Sequence, residues 1–259
     1  MFNIGLKLWS VNENYLDEAK KLYEQGLCQY IELYIIPNSL NKIDLWKNLH
    51  SEFKIPFIIH APHFREGVNL ASRECKPKNM ALAKEAIEFA DVLNSKYIIF
   101  HPGIAGDIKE TVSQFNELND DRILVENKPY YVIPGNFVCN GATIDEIKFV
   151  LDNTNVGFCL DIGHAICAAN ALKIEPMEYI KKFLEFKPKM FHLADNKIDS
   201  IYDKHFHFGQ GDLPIKNILN LLPDKSLITV ETFKDFKNSL EDFERDMEII
   251  KNVCKGILR

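Results

Sequence analysis

Eight short runs of β-branched, aromatic and other apolar residues recur along the chain. Most of them are almost continuously apolar, which is typical of strands that are buried on both faces of a parallel sheet. The runs cover residues 2–8, 30–36, 56–60, 97–101, 122–126, 156–161, 190–195 and 227–231. We predict a strand in each of these runs.

Amphipathic stretches lie between the runs, with apolar residues at the spacing of an α-helix. The clearest stretches cover residues 13–26, 78–95, 143–153 and 176–187. Eight strands alternating with helices in 259 residues leave about 32 residues per unit, which suits a βαβ arrangement. Since no Gly-, Pro- or Ser-rich linker divides the chain, we predict one α/β domain over residues 1–259. The expected fold is a closed (β/α)8 TIM barrel, with an open doubly wound sheet as the alternative.

The charge and the cysteines exclude several classes of protein. A net charge of −6 argues against nonspecific affinity for nucleic acid or for anionic lipid. The six cysteines form no C-x-x-C pair, so neither a zinc ribbon nor a redox motif is indicated, and reduced thiols are expected. The chain begins without a signal-like segment and has no uncharged apolar run of about 18 residues. We therefore expect a cytoplasmic protein without membrane contact. The sequence leaves the oligomeric state open.

Polar residues stand at the ends of six consecutive predicted strands. They are His60, His101, Glu126, Asp161, His192 and Glu231. In a barrel the carboxyl ends of all strands meet at one rim, and unpaired buried charges there would cost several kcal/mol each. A bound cation would remove that cost. Imidazole nitrogen with carboxylate oxygen suits Zn²⁺, Mn²⁺, Co²⁺ or Fe²⁺ better than Mg²⁺ or Ca²⁺.

A second set of candidate ligands lies in loops near the same rim. His164 follows Asp161 by three residues, as the chain turns off the sixth strand. Asp203 and His205 have the spacing that places two side chains on the same side of an extended segment. The loop that carries them is interpreted as a lid or a second donor of ligands, and a solvated polar loop is the alternative.

Several other polar or aromatic residues are expected to be structural. Glu32 ends an apolar run and could form an inward hydrogen bond on the second strand. Lys128 could contact an anionic substrate, but we expect it to be exposed. His63 and His207 flank candidate ligands and are expected to be structural neighbours of them. Trp46 is expected in the packed face of a helix.

An ordered set of motifs runs through nearly the whole chain. The motifs are HAPHFREGVNLAS, HPG, VENK, LDIGHA, HLADN, DKHFHFGQG and VETF. Each motif alone is weak, but in this order the chain resembles the xylose-isomerase-like TIM barrels. That superfamily includes sugar-phosphate isomerases and epimerases together with endonuclease IV.

The resemblance implies metal ligands at nine positions, because endonuclease IV uses a three-zinc cluster. The implied ligand sets are His60, His101 and Glu126; Glu126, Asp161, His192 and Glu231; and His164, Asp203 and His205. The isomerases and epimerases typically need only the second set. The resemblance therefore implies one to three divalent ions per chain, with zinc expected first and manganese or cobalt as alternatives.

The resemblance leaves two enzymatic functions open. The first hypothesis is a metal-dependent isomerase or epimerase of a small sugar, sugar phosphate or hydroxy-keto compound. By the resemblance, Glu126 and Glu231 would move the proton through a metal-stabilised enediolate. The alternative is a zinc-dependent phosphoester hydrolase of the endonuclease IV type, which would act on nucleic acid at abasic sites through a metal-activated water. A non-catalytic barrel with a structural metal is a third hypothesis, although closed structural zinc sites use about four ligands.

One loop separates the two enzymatic hypotheses. Endonuclease IV has a compact Tyr-Leu-x-Asn-Leu segment directly after the histidine of the third strand, which helps to open the DNA. Here the corresponding loop is longer and contains Phe64, Arg65, Glu66 and Gly67 before Asn69. We therefore prefer a small, sugar-like substrate, and nucleic acid is a partner only under the alternative.

Overall fold

The computed structural model describes residues 2–133 and 137–255, without the side chains of residues 254 and 255. Eight parallel strands form a closed barrel in the order β1-β10-β9-β8-β5-β4-β3-β2. They are β1 (Asn3–Trp9), β2 (Tyr30–Tyr34), β3 (Phe57–His60), β4 (Ile98–Phe100), β5 (Ile123–Glu126), β8 (Gly157–Asp161), β9 (Met190–Leu193) and β10 (Leu227–Val230). Direct pairing of β1 with β10 closes the barrel, which confirms the predicted fold and excludes the open sheet.

Helices surround the barrel between the strands. They are α1 (Leu16–Glu24), α2 (Ile43–Phe53), α3 (Lys76–Val92), α4 (Ile108–Leu118), α5 (Ile144–Asn153), α6 (Ile162–Leu172), α7 (Pro176–Leu184), α8 (Ile215–Leu221) and α9 (Glu241–Lys255). Short 3₁₀ helices cover Glu13–Tyr15, Leu40–Lys42 and Phe64–Glu66. The sequence pattern did not predict the hairpin of β6 (Tyr131–Val132) and β7 (Phe137–Val138), which stands over the rim after β5.

The amino-terminal half of the barrel interior is filled by one apolar layer. Its members are Tyr30, Ile58, Ile99, Leu124, Cys159 and Met190, and each is at most 3% exposed. Gly5 makes room for this layer, since a Cβ there would lie 2.2 Å from the Tyr30 ring. The Tyr30 hydroxyl then lies 2.9 Å from the Thr229 hydroxyl, which marks the start of the polar layer above.

Strand register places the polar layer on top of the apolar one. Lys7 pairs with Glu32 across β1 and β2, and His192 pairs with both Thr229 and Asp161 on its two neighbouring strands. Residues paired in this way on parallel strands project to the same face of the sheet. The polar side chains therefore meet inside the carboxyl end of the barrel.

Two further expectations concern the chain as a whole. The five cysteines with described side chains are free, as expected, and Cys254 lies outside the described side chains. Within the described part of the chain, none of the helices has the length and apolar character needed to cross a membrane.

Candidate active site

The six side chains at the ends of the predicted strands meet at the carboxyl rim of the barrel. His60, Glu126 and Asp161 are the last residues of β3, β5 and β8. His192 lies inside β9, whereas His101 and Glu231 directly follow β4 and β10. In each of four groups the candidate ligand atoms lie within 4.8 Å of one another. The groups are His60, His101 and Glu126; Glu126, Asp161 and His192; Glu32, His192 and Glu231; and His164, Asp203 and His205.

The Glu126 carboxylate is the centre of the arrangement and is 1% exposed. Its Oε2 lies 3.2 Å from Nε2 of His60 and 3.2 Å from Nε2 of His101. Its Oε1 lies 3.0 Å from Nδ1 of His164. Glu126 therefore joins imidazoles from three different elements.

The His60 ring is oriented by the backbone. His60 Nδ1 donates to the carbonyl of Ala61 at 2.8 Å, so the lone pair of Nε2 faces Glu126. Burial lowers the pKa of His60, and burial together with Lys128 lowers the pKa of His101 well below its usual range. Both rings are therefore neutral, which is the form that binds a metal.

A buried network orients His192 from the other side. His192 Nε2 donates to Glu32 Oε2 at 2.9 Å, so the predicted inward hydrogen bond of Glu32 is confirmed. Glu32 also accepts from Thr229 Oγ1 at 2.6 Å. His192 Nδ1 consequently faces Glu231 Oε1 at 3.2 Å and Glu126 Oε2 at 3.4 Å. A histidine whose second nitrogen is held by a carboxylate is the usual arrangement of a metal ligand.

Lys7 is a site residue that the sequence pattern did not reveal. Its Nζ lies 2.5 Å from Glu32 Oε1 and 2.5 Å from Glu231 Oε1, and the residue is 6% exposed. Burial would raise the pKa of Glu32, but His192 and Lys7 outweigh it and lower that pKa to about 2. The only signal in the sequence is a lysine inside an otherwise apolar strand.

Asp161 connects the strand-end residues to the loop residues. Its Oδ1 accepts from the backbone N–H of His164 at 2.6 Å and so caps α6. Burial, with Asp203 and Glu126 nearby, raises the pKa of Asp161 to about 6 although His164 opposes that shift. Such crowding of carboxylates is relieved by a cation.

The candidate ligands His164, Asp203 and His205, called the loop trio below, lie close together as predicted. The backbone conformation that brings them together differs from the predicted one. Asp203 Oδ2 lies 2.7 Å from Nε2 of His205 and 3.4 Å from Nε2 of His164. His205 has φ of 47°, which is left-handed, so the prediction of an extended segment is wrong. The side chains of Asp203 and His205 therefore meet at a bend in the backbone, and not through the alternation of side chains along an extended segment.

The glycine-rich end of this loop is held by Asp195. Its Oδ2 accepts from the N–H groups of Gly209 and Gly211, each at 2.9 Å. A Cβ on Gly211 would lie 2.2 Å from the carbonyl oxygen of Asn196, so only glycine fits there. The loop is therefore anchored next to the rim.

The expected exposure of Lys128 is wrong, since this residue is 5% exposed. Its Nζ lies 3.2 Å from Nε2 of His101, 3.4 Å from both ring nitrogens of His164 and 3.5 Å from Glu126 Oε1. His101 and His164, the latter at the start of α6, lie against a position that the local sequence marks as a loop.

Trp46, His207 and His63 were all expected to be structural, and His63 differs from the other two. Trp46 is fully buried, as expected, and His207 Nδ1 lies 2.8 Å from Asp246 Oδ2. His63, by contrast, stacks on His101 with ring centroids 4.7 Å apart and lines the cavity above the site.

A cavity of about 290 Å³ opens above these groups. Its floor includes Glu126, Glu231, His101 and Lys7. Its other lining residues include the aromatic side chains of Trp9, Tyr34, Phe64, Tyr131, Tyr202 and Phe233, together with the charged Arg65 and Glu66. The volume is at the lower end of the usual range for small-molecule sites, about 300–1,000 Å³. The site therefore fits a small ligand with polar groups at one end.

Unsatisfied buried atoms show that the ligand groups fit a cation. Among the described residues, five buried side-chain atoms lack a hydrogen bond of acceptable geometry, and four of them belong to the groups above. The four are His101 Nδ1, Glu126 Oε1, His192 Nδ1 and Asp203 Oδ2. Buried polar atoms without partners are rare in folded proteins unless they serve a site.

The chain is similar to known proteins in sequence and in fold. The chain is 27% identical over 199 residues to the probable endonuclease 4 of Aquifex aeolicus, which covers 69% of this chain and 70% of that protein. Its fold matches a D-tagatose 3-epimerase-like protein with a TM-score of 0.77 and 21% identity, covering 98% of this chain and 97% of the other. It also matches endonuclease IV from Thermus thermophilus with a TM-score of 0.74 and 20% identity, covering 98% and 99% of the two chains. A family model described as the xylose isomerase-like TIM barrel matches residues 20–253, and the chain belongs to that family.

Proposed function

We propose that this protein is a divalent-metal-dependent isomerase or epimerase of a small sugar, sugar phosphate or hydroxy-keto compound. The observation that carries the proposal is that two carboxylates lie close to one imidazole nitrogen at the floor of the cavity. Glu126 Oε2 and Glu231 Oε1 lie 3.4 Å and 3.2 Å from His192 Nδ1, and both residues line the cavity. Two carboxylates at the floor of a small cavity suit proton transfer at a carbon next to a carbonyl.

The ion would be held by Glu126, Asp161, His192 and Glu231. The unpartnered atoms Glu126 Oε1 and His192 Nδ1 support this assignment. Nitrogen and carboxylate ligands favour Zn²⁺, with Mn²⁺ or Co²⁺ as alternatives. When bound, the ion supplies a Lewis acid that holds adjacent substrate oxygens and stabilises negative charge on them.

The residues of the chain would supply the base, the acid and the shielding from water. Burial would raise the pKa of Glu231, but His192 and Lys7 outweigh it and hold that pKa well below its usual range. Glu231, as a carboxylate, would take the proton from the substrate carbon, and Glu126 would return a proton to that carbon or to its neighbour. The aromatic side chains that line the cavity would displace water from around the reacting carbon.

The test measures exchange of a carbon-bound hydrogen with solvent. Metal-loaded protein is incubated with ketoses, aldoses and their phosphates that carry deuterium next to the carbonyl, and loss of the label is followed by NMR. We expect Glu231→Gln to slow the exchange by roughly 10²–10⁴-fold, which is the usual contribution of a general base.

A matched control uses a buried glutamate away from the cavity. Glu85 accepts from the backbone N–H groups of Asn38 and Ser39 at 3.0 Å and 2.8 Å, so Glu85→Gln makes the same chemical change without touching the site. The control should retain the exchange rate. Equal rates in wild type and Glu231→Gln would remove Glu231 from proton transfer.

Phosphoester hydrolysis of the endonuclease IV type is the second candidate. It is favoured by the assembly of the loop trio His164, Asp203 and His205, which a single-ion isomerase does not need. Incubation with duplex DNA that contains an abasic site tests it. Efficient incision of the strand without any sugar exchange would favour this candidate over our first proposal.

A further inference from the structure

Lys128 lies between two of the proposed ligand groups. Its ammonium is 3.2 Å from His101 Nε2, which belongs to the group with His60 and Glu126. It is also 3.4 Å from both ring nitrogens of His164, which belongs to the loop trio. An endogenous cation is thus placed among side chains whose donor atoms suit a metal ion.

The backbone around Lys128 directs the side chain into the site. Lys128 donates its N–H to the carbonyl of Gly141 at 3.1 Å. The preceding Asn127 binds the backbone of Asp161 through two hydrogen bonds, of 2.9 Å and 2.7 Å. The Asn127 carbonyl accepts from His164 Nδ1 at 2.9 Å. The start of the Lys128 side chain is therefore fixed relative to β8 and α6.

The ammonium and a metal ion would compete for the same lone pair. The Nε2 atom of His101 faces Glu126 Oε2 at 3.2 Å and is also the atom nearest to Lys128 Nζ. A zinc ion on that nitrogen would lie about 2.0–2.1 Å from it, and so only a few ångströms from the ammonium. Repulsion between a divalent ion and an ammonium at such a distance is strong in a buried site.

We propose that Lys128 replaces a metal ion at the group of His60, His101 and Glu126, so that this chain loads fewer ions than its nine potential ligands would allow. The inference rests on the proposed metal centre and sharpens it. A fixed single charge at this position leaves the ion held by Asp161 and His192 as the working one, which suits proton transfer better than three-ion hydrolysis.

The experiment counts zinc ions per chain after loading and exhaustive dialysis, by inductively coupled plasma mass spectrometry. Lys128→Met removes the charge and keeps the length of the side chain, and Lys128→Arg is the matched control that keeps the charge. We expect Lys128→Met to gain one ion over the wild type and Lys128→Arg to gain none. The affinity for the added ion should rise by at least about 100-fold over the wild type.

Combination with His101→Ala identifies the position of the added ion. His101→Ala should leave the zinc count of the wild type unchanged and should remove the added ion from Lys128→Met. A His101-dependent ion in the wild type would overturn the proposal, and so would an unchanged count in Lys128→Met. If Lys128→Met unfolds, as seen by circular dichroism, Lys128→Gln takes its place.

The outcome for Lys128 is separable from that of the proposed function. Asp161→Ala measures the central ion independently of His101. A protein without that central ion that still gains a His101-dependent ion in Lys128→Met would support the role of Lys128 while contradicting the isomerase proposal. A protein in which neither ion binds contradicts both.

Discussion

The two buried lysines at the rim stand in opposite surroundings. Lys7 is bonded at 2.5 Å to the carboxylates of both Glu32 and Glu231. Lys128 has its nearest carboxylate, Glu126, at 3.5 Å, and its closer neighbours are imidazole nitrogens. The charge of Lys7 is therefore compensated within the protein, whereas that of Lys128 is balanced only in part.

This difference makes Lys7 a structural cation, whereas a metal ion could take the place of the Lys128 ammonium. Lys7 holds Glu32, which in turn holds His192 at 2.9 Å, so removing Glu32 breaks two buried ion pairs at once. Lys128 shares its neighbours with the proposed ion sites, so its removal leaves side chains that a metal can satisfy. The same charge thus supports the barrel on one side and limits metal loading on the other.

The largest loss of stability is expected when the buried ion pairs of Lys7 and His192 with Glu32 are broken. Glu32→Ala removes the carboxylate that holds His192 Nε2 and leaves Lys7 with Glu231 as its remaining partner, and breaking a buried ion pair typically costs about 3–5 kcal/mol. We expect that loss in the free energy of unfolding, measured by urea denaturation with the metal removed.

Glu85→Ala is the matched control for Glu32→Ala. It removes a buried carboxylate that accepts from two backbone N–H groups, and the expected loss is about 1–3 kcal/mol. Equal losses in the two variants would show that the ion-pair chain adds nothing beyond ordinary buried hydrogen bonds.

Substitution of Asp161 is expected to lower the metal content strongly. The expected loss of stability is smaller than that for Glu32. Asp161→Ala should lose the central ion and about 1 kcal/mol of stability, because Asp161 also caps α6 at 2.6 Å. Asp161→Asn is the control, since it keeps a capping oxygen but removes the charge. It should lose the ion with little change in the melting temperature, and full zinc occupancy in either variant would remove Asp161 from the ligand set.

The fold and the strand-end residues could be predicted because they depend on local pattern and on one topological rule. Continuous apolar runs predict buried parallel strands, and parallel strands in a barrel bring their carboxyl ends to one rim. His60, Glu126 and Asp161 need nothing further, since each is the last residue of its strand.

Lys7 and Lys128 could not be predicted because their surroundings are set by distant residues. Lys7 is buried by Glu231, which is 224 positions away in the chain. Lys128 lies against His101 and against His164 of α6, and nothing within its own loop indicates burial. The left-handed φ of His205 stands directly before the bridge that Phe206 forms with the distant Asp195, whereas spacing alone pointed to extended backbone.

The smallest effect on stability is expected for substitutions in the loop trio, which is the most exposed of the ligand groups. His205 has a side chain that is 32% exposed, and Asp203 lies on a loop and not on a strand. If the trio holds an ion of its own, Asp203→Ala should remove one zinc per chain and leave the central ion and the melting temperature nearly unchanged. Asp212→Ala is the control in the same loop, because Asp212 accepts from the backbone of Ile198 at 2.7 Å and lies outside all four ligand groups. An equal zinc count in both variants would make the trio a structural element of the loop. A loss confined to Asp203→Ala would assign a second ion to the group of His164, Asp203 and His205.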